Sequence, residues 1–428
     1  MKRTLAFLLV LAMALCLFAG CAKKQAEVTL PAPVAAASDM EFENDSAAAD
    51  VAAAKKDLAE VLPKVKVGFI FLHDENSTYD KNFIDAAKEA CDSLGVEYVL
   101  RTNVPEGQEC FNAAAELVDD GCDILFADSF GHEDFMIQAA REFPAVQFCH
   151  ATGTKAHTEK MANYHNAFAS IYEGRYLAGV AAGMKLKELQ DAGKLKGEKP
   201  LMGYVGAFPY AEVKSGYTSF FLGAKSIVPD VEMKVIFTQS WYDEEGEKTA
   251  AKALIAANCD LISQHADSWG APTACEEAGI PNVTYNMSTI EKSPTTFIVA
   301  SRINWVPYFE YIIDQRIKGE AIDTDWTGNT DKGSVELIGL NEKVAAEGTA
   351  AKIAEVTDQL LKGELHVFDT ASFTVKGENL TTYTADVDDM GDFVPETEAI
   401  ADGYFHESEF RSAPYFDIDI DGIEILNN

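Results

Sequence analysis

Two segments of the chain echo each other. Residues 122–131 read CDILFADSFG and residues 259–270 read CDLISQHADSWG. Each copy is Cys-Asp, a short apolar run, then Ala-Asp-Ser, an aromatic residue and Gly. That is the pattern of a buried strand ending in a polar, aromatic-tipped loop. Two such strand ends predict two similar α/β halves. Parallel α/β sheets bind ligands outside the carboxyl ends of their strands. Halves that face each other would therefore line one cleft with residues 128–130 and 265–269.

The chain around the echo alternates strand and helix. VKVGFIFL (65–72) is a continuous β-branched and aromatic run. The next segment places Phe83, Ala86, Ala87, Ala90, Cys91 and Leu94 at helical spacing, with Gly95 as the stop. VEYVL (96–100), a helix around 110–118, CDILF, a helix at 133–142 and AVQFC (145–149) complete four strands separated by three helices, a run of parallel βαβ units. After a helical run at 171–189 the pattern restarts: MGYVG (202–206), a helix at 214–227, EMKVIFT (232–238), a helix at 248–257, CDLIS, a helix at 271–278, IPNVTY (280–285) and FIVAS (297–301). A helix at 307–318, the strand SVELIGL (334–340) and a helix at 345–361 follow, chain that supplies extra crossings between two lobes.

The chain opens with MKRTLAFLLVLAMALCLFAGC, a basic start, a short apolar run and small residues before a cysteine, which reads as a secretory leader. The apolar run is shorter than the ~20 residues of a transmembrane helix. Leu17-Phe18-Ala19-Gly20-Cys21 resembles a bacterial lipobox. That implies cleavage before Cys21, lipidation of its thiol, and a lipid anchor on the extracytoplasmic face of the cell membrane, at the bacterial surface or in the periplasm. Residues 21–63 are Ala-rich and read as a flexible tether. Six cysteines follow, at 91, 110, 122, 149, 259 and 275; an even number in an exported chain permits disulfides, and their apolar surroundings equally suit buried thiols. No His/Cys spacing suggests zinc, and no metal or other cofactor is expected. With 35 Lys and Arg against 69 Asp and Glu, the net charge of −34 makes nucleic acid a poor partner. DIDIDG near the carboxyl end lacks the glutamate that completes a calcium loop.

Catalytic signatures are missing: no GxSxG elbow, no HExxH, no Walker-type loop and no dinucleotide glycine pattern. The chain is therefore read as a binder and not an enzyme. Its strand-end loops carry aromatic residues beside carboxylates and amides: Asp80 and Phe83, Ser129 and Phe130, Phe208, Trp241 and Asp243, His265 and Asp267, and Trp305. An aromatic face holds a planar heterocycle, and ring N–H groups need acceptors such as Asp or Asn. Sugars also stack on aromatic faces.

GFIFLHDENSTYDKNF, ADSFGHEDF, NYHNAFASIYEGRYLAGVAAG, GYVGAFPYAEV, SWYDEEGEKTAAKALIAANCDLISQHADS and NWVPYF carry a family resemblance. From about 64 to 375 the chain is similar to the basic membrane protein family of ABC-transporter substrate-binding lipoproteins, the purine nucleoside receptor group. The resemblance implies a type I periplasmic-binding-protein fold, with two three-layer α/β/α lobes closing on a purine, and a separate permease and ATPase as partners. It implies that Phe83 stacks on the base and that Trp241 or Tyr242 forms the opposite face; with Trp241 in that place, Asp267, Ser129, His265 and Asn163 are expected to satisfy the ring's edge. The family's ribose-binding Asp falls near residues 285–288, where no carboxylate stands. Arg302 and Trp305 occupy the place of its lysine, so the resemblance points to a free base of adenine or guanine type.

The expected layout is a leader (1–20), a lipidated Cys21 with its tether (21–63), a first lobe (64–170 with about 302–333), a second lobe (171–301 with about 334–375) and an acidic extension (376–428). Two alternatives stay open: a sugar or signalling molecule in the same cleft, and a surface protein whose acidic extension meets partner proteins.

Overall fold

The computed structural model describes residues 64–387 and 394–427. The leader, Cys21 and the tether lie outside these described residues. The chain first forms β1 (Lys66–Ile70), α1 (Thr78–Leu94), β2 (Glu97–Arg101), α2 (Gln108–Asp119), β3 (Ile124–Ala127), α3 (Glu133–Glu142), β4 (Gln147–Ala151), the one-turn α4 (Ala156–Glu159) and β5 (Tyr164–Ala169). Then come α5 (Ile171–Asp191), β6 (Leu201–Gly206), α6 (Ala211–Ile227), β7 (Glu232–Phe237), α7 (Glu244–Ala256), β8 (Leu261–His265), α8 (Gly270–Ala278), β9 (Asn282–Tyr285) and β10 (Phe297–Ile303). Helix α9 (Val306–Lys318), β11 (Asp325–Gly328), β12 (Val335–Ile338) and α10 (Thr349–Leu361) follow.

These elements make two sheets. The first has the order β11-β5-β4-β3-β1-β2, all parallel. The second runs β12-β10-β9-β8-β6-β7 and ends on a short strand, Ile423–Ile425, with only β12 antiparallel. The chain passes from the first sheet to the second after β5, returns after β10 and crosses again between β11 and β12. This is the expected two-lobed α/β fold.

Parallel strands covered on both faces must be apolar along their whole length. β3 (ILFA) is fully buried, and so is β8 (LISQH), whose polar end turns toward the space between the lobes. Ser77 caps α1 by accepting the Asp80 amide, and Gly95 ends that helix in the left-handed region at φ 66°. In the second lobe α5 and α6 meet backbone to backbone. A Cβ at Gly179 would lie 2.0 Å from the Phe220 carbonyl oxygen, and one at Gly223 2.1 Å from that of Tyr176, so both positions require glycine. This close approach seats Arg175 of α5 against the first turns of α6 beneath the cleft.

Two strands escaped the sequence pattern. β5 carries His165 and Asn166 inside a fully buried run, and β11 has only four residues around Trp326. The acidic chain after α10 contributes more than charge. Its Phe405, Tyr415, Phe416, Ile418 and Ile420 pack into the second lobe's core beside α6, and the strand Ile423–Ile425 extends that lobe's sheet alongside β7.

All six cysteines named above are free and buried. Burial pushes the thiols of Cys91, Cys149 and Cys259 up to about 12. Because the thiolate is the reactive form, a chromogenic disulfide reagent is expected to find six more thiols in denaturant than in the native protein. A fast-reacting native thiol among the six would contradict their burial.

Candidate functional site

The carboxyl ends of the two sheets face each other across a cavity of roughly 380 Å³, its open mouth included. The first lobe lines it with Leu72, His73, Tyr79, Asp80, Ser129, Phe130 and Thr152, the second with Glu212, Trp241, His265 and Asp267. Contacts between the lobes close it. The Thr78 amide and hydroxyl donate to the Asp267 carbonyl at 2.8 and 3.1 Å, and Trp269 Nε1 donates to the Asn76 carbonyl at 3.1 Å. At the mouth the rings of Phe130 and Tyr210, one from each lobe, stand 5.8 Å apart.

The first lobe's wall is internally satisfied. Asp80 accepts the His73 amide at 2.7 Å and the Ser77 hydroxyl at 2.6 Å, and one oxygen stands 3.3 Å from His73 Nδ1. Burial alone would raise the Asp80 carboxyl, but these hydrogen bonds outweigh it and hold the group below the usual carboxylate range. Asp128 lies under it with no exposure; burial first, then repulsion from Asp80, push its carboxyl well up. Ser129 lines the cavity, yet its hydroxyl donates to Glu106 Oε1 at 2.5 Å, which anchors the rim loop.

The second lobe's wall is unsatisfied. Asp267 is only 4% exposed, and its carboxyl, which makes no hydrogen bond among the described residues, opens on the cavity. Burial first, then Asp80, Glu247 and Glu212, push this carboxyl well up, while Arg175 pulls the other way. His265 sits beside it with Nε2 3.3 Å from Glu212 Oε1; burial and then Arg175 lower its pKa to about 4, so the imidazole is neutral. Behind them Arg175 is completely buried, donating Nη1 to the Gln264 carbonyl at 3.1 Å with its guanidinium carbon 3.6 Å above the Tyr285 ring.

The structure thus brings Asp80, Ser129, Phe130, Trp241, His265 and Asp267 to one cavity. It places the other five candidates elsewhere. Phe83 and Trp305 stack on each other at 4.5 Å inside the first lobe's core, one helical turn below Tyr79, which takes the cavity position. Asn163 stands just before the amino end of β5, opposite the carboxyl ends that line the cavity, where its amide donates to the carbonyls of Ala140 and Val146. Asp243 caps α7 by accepting the Gly246 amide at 2.9 Å. Phe208 backs Trp241 edge-on at 5.2 Å and stacks on Tyr210 at 5.1 Å. Glu212, Tyr79 and His73 were not among the sequence candidates. Glu212 stood within GYVGAFPYAEV, just past a strand, which is the one signal that could have found it. Among the described residues no cluster of His, Cys, Asp and Glu is placed to hold a metal ion, and no helix is long and apolar enough to cross a membrane.

Residues 65–367 match the family model described as ABC transporter substrate-binding protein, PnrA-like. The chain is 35% identical over 315 residues to a purine-binding protein of Brucella abortus, covering 71% of this chain and 83% of that protein. It is 29% identical over 308 residues to a Haloferax volcanii protein whose name assigns it glucose binding in an ABC transporter, covering 72% of each. Among solved structures, a solute-binding protein of an ABC transporter system from Conexibacter woesei shares the fold, with a TM-score of 0.58 at 18% identity over 71% of this chain and 98% of that one. The chain belongs to the Bmp family of PnrA-like ABC-transporter substrate-binding proteins, which bind solutes and are not enzymes.

Proposed function

We propose that the protein captures a purine base by closure of its lobes and presents it to the permease and ATPase of an ABC importer, held at the extracytoplasmic membrane face by a lipid on Cys21. The Asp267 carboxyl carries this reading. A buried acceptor group left without a partner costs free energy, and it is stabilised once a ligand N–H reaches it. Purine edges supply such donors, and Tyr79 and Trp241 bring aromatic rings to the cavity from opposite lobes. The similarity to the Brucella abortus purine-binding protein supports the same ligand class.

The direct test is to purify the protein, denature it and identify the released small molecules by mass spectrometry. A thermal-shift panel of bases, nucleosides and glucose accompanies it, since ligand at ~100 times its dissociation constant stabilises by about 2.7 kcal/mol. A melt shifted by glucose and by no purine rules the reading out. Trp241 is half-buried with Phe208 and Tyr210 behind it. Trp241→Ala is expected to weaken purine binding by about 2 kcal/mol, the threshold of a binding hot spot, with little change in the melting temperature of the ligand-free protein.

A further inference from the structure

The second lobe presents a second carboxylate to the cavity. Glu212 stands in the first turn of α6, just after β6, and Asp267 follows β8. β6 and β8 are neighbours, with Gly206 paired to His265, so the two acidic groups project side by side from adjacent strand ends. Their unsatisfied oxygens differ in number. One oxygen of Glu212 meets His265 Nε2 at 3.3 Å, and the other has no partner among the described residues. Asp267, which lines the cavity, makes no hydrogen bond through either carboxyl oxygen among the described residues. A carboxylate accepts only, so the neutral His265 must carry its proton on Nε2 to bond Glu212, which leaves Nδ1 without a partner. Glu212 is therefore not neutralised by an imidazolium. Arg175 lowers the Asp267 carboxyl from behind without hydrogen-bonding to it.

We propose that Glu212 is a specificity-determining residue: with Asp267 taking the two-donor pyrimidine edge of a guanine-type base, the single free oxygen of Glu212 accepts the imidazole-ring N–H, selecting the unsubstituted base over its nucleosides. The inference rests on the purine reading above. Its chemistry is a matter of counting donors. Guanine offers a ring N–H and an amino N–H side by side on one edge, a bidentate match for a carboxylate with two open oxygens. On the other edge it offers one N–H, a match for a carboxylate with one. In a nucleoside the glycosidic bond replaces that N–H, which leaves Glu212 desolvated and unpaired. Adenine lacks the paired donors of the guanine edge and leaves Asp267 partly unsatisfied. The narrow mouth between Phe130 and Tyr210 also disfavours a bulky substituent.

The test measures binding of guanine, 9-methylguanine, guanosine and adenine to the ligand-stripped full chain and to Glu212→Leu, by tryptophan fluorescence. The wild-type protein is expected to prefer guanine over 9-methylguanine by about tenfold or more, the equivalent of one hydrogen bond to a charged group. Glu212→Leu is expected to reduce that preference to near unity, mainly by weakening guanine. Equal binding of guanine and 9-methylguanine to the wild type overturns the role of Glu212 and leaves the purine reading standing. So does an unchanged preference in Glu212→Leu, and tighter binding of adenine than of guanine overturns the edge assignment. Binding of none of the four removes the purine reading itself. Should Glu212→Leu not fold, the comparison of guanine with 9-methylguanine on the wild type decides alone.

Discussion

Asp267→Asn is expected to weaken purine binding by about 3 kcal/mol, roughly a hundredfold, while the ligand-free protein melts at the same temperature or higher. The two effects have one origin. The Asp267 carboxyl lines the cavity at 4% exposure, and burial first, then Asp80, Glu247 and Glu212, push it up. A neutral amide in its place removes that unfavourable field from the empty protein. The ligand sees the opposite change, because the amide keeps one acceptor and turns its NH2 toward the ligand's own donors. Titration calorimetry and differential scanning calorimetry on the same two proteins check both halves. A variant that lost stability and kept its affinity would show Asp267 to be a structural group.

The same carboxyl predicts a pH dependence of defined sign. Its folded-state pKa lies well above the ordinary value, so its contribution to stability is fully present below the unfolded pKa and is lost as pH rises through the folded one. The ligand-free wild type should therefore fall progressively behind Asp267→Asn in melting temperature as pH increases from the acid range. N–H donors favour the ionised carboxylate, so purine affinity of the wild type should rise over that interval, with the slope absent in the variant.

How far this site was legible is clear from the echo itself. Asp128 and Asp267 occupy equivalent places after β3 and β8, and the sequence could align them because buried parallel strands read as continuous apolar runs. It could not separate their fates. Asp128 turns under Asp80 into the floor, and Asp267 opens on the cavity, a difference set by the inter-lobe contacts of Thr78 and by Gln264, whose amide bridges the Ala266 and Ser268 carbonyls. The aromatic tips diverge as well: Phe130 is 42% exposed at the mouth, whereas Trp269 hydrogen-bonds across to Asn76. β5 was invisible for a related reason. His165 is tolerated inside a buried strand because Nδ1 lies 3.0 Å from the Asp323 carbonyl and Nε2 2.8 Å from the Gln147 side-chain amide, and both partners come from outside the segment. In the acidic carboxyl-terminal chain, regularly spaced Asp and Glu masked Phe405, Tyr415 and Phe416, which the second lobe buries.

Trp305→Ala is expected to destabilise the first lobe by about 3–5 kcal/mol, as truncation of a buried tryptophan does, and to change purine affinity of the folded protein far less than Trp241→Ala does. Trp305 is 1% exposed and stacks on Phe83 at 4.5 Å, with Phe126, Phe168, Tyr308 and Phe309 all within 6.2 Å. It also caps α9 where the chain returns from β10 to the first lobe, so its loss leaves a void next to a crossing between the lobes. The expected fall in melting temperature is on the order of 10 °C. Trp305→Phe should recover most of it: the aromatic contact is retained, and an indole N–H that finds no partner among the described residues is removed. The comparison separates two roles for the Phe83–Trp305 pair that sequence alone leaves merged, since Tyr79 and Phe83 lie on the same face of α1, one turn apart. If the pair is core, Trp305→Ala moves the melt and Trp241→Ala moves the affinity. A Trp305→Ala protein that melts like the wild type yet no longer binds purine would mean that Phe83 and Trp305 part to admit the ring between them.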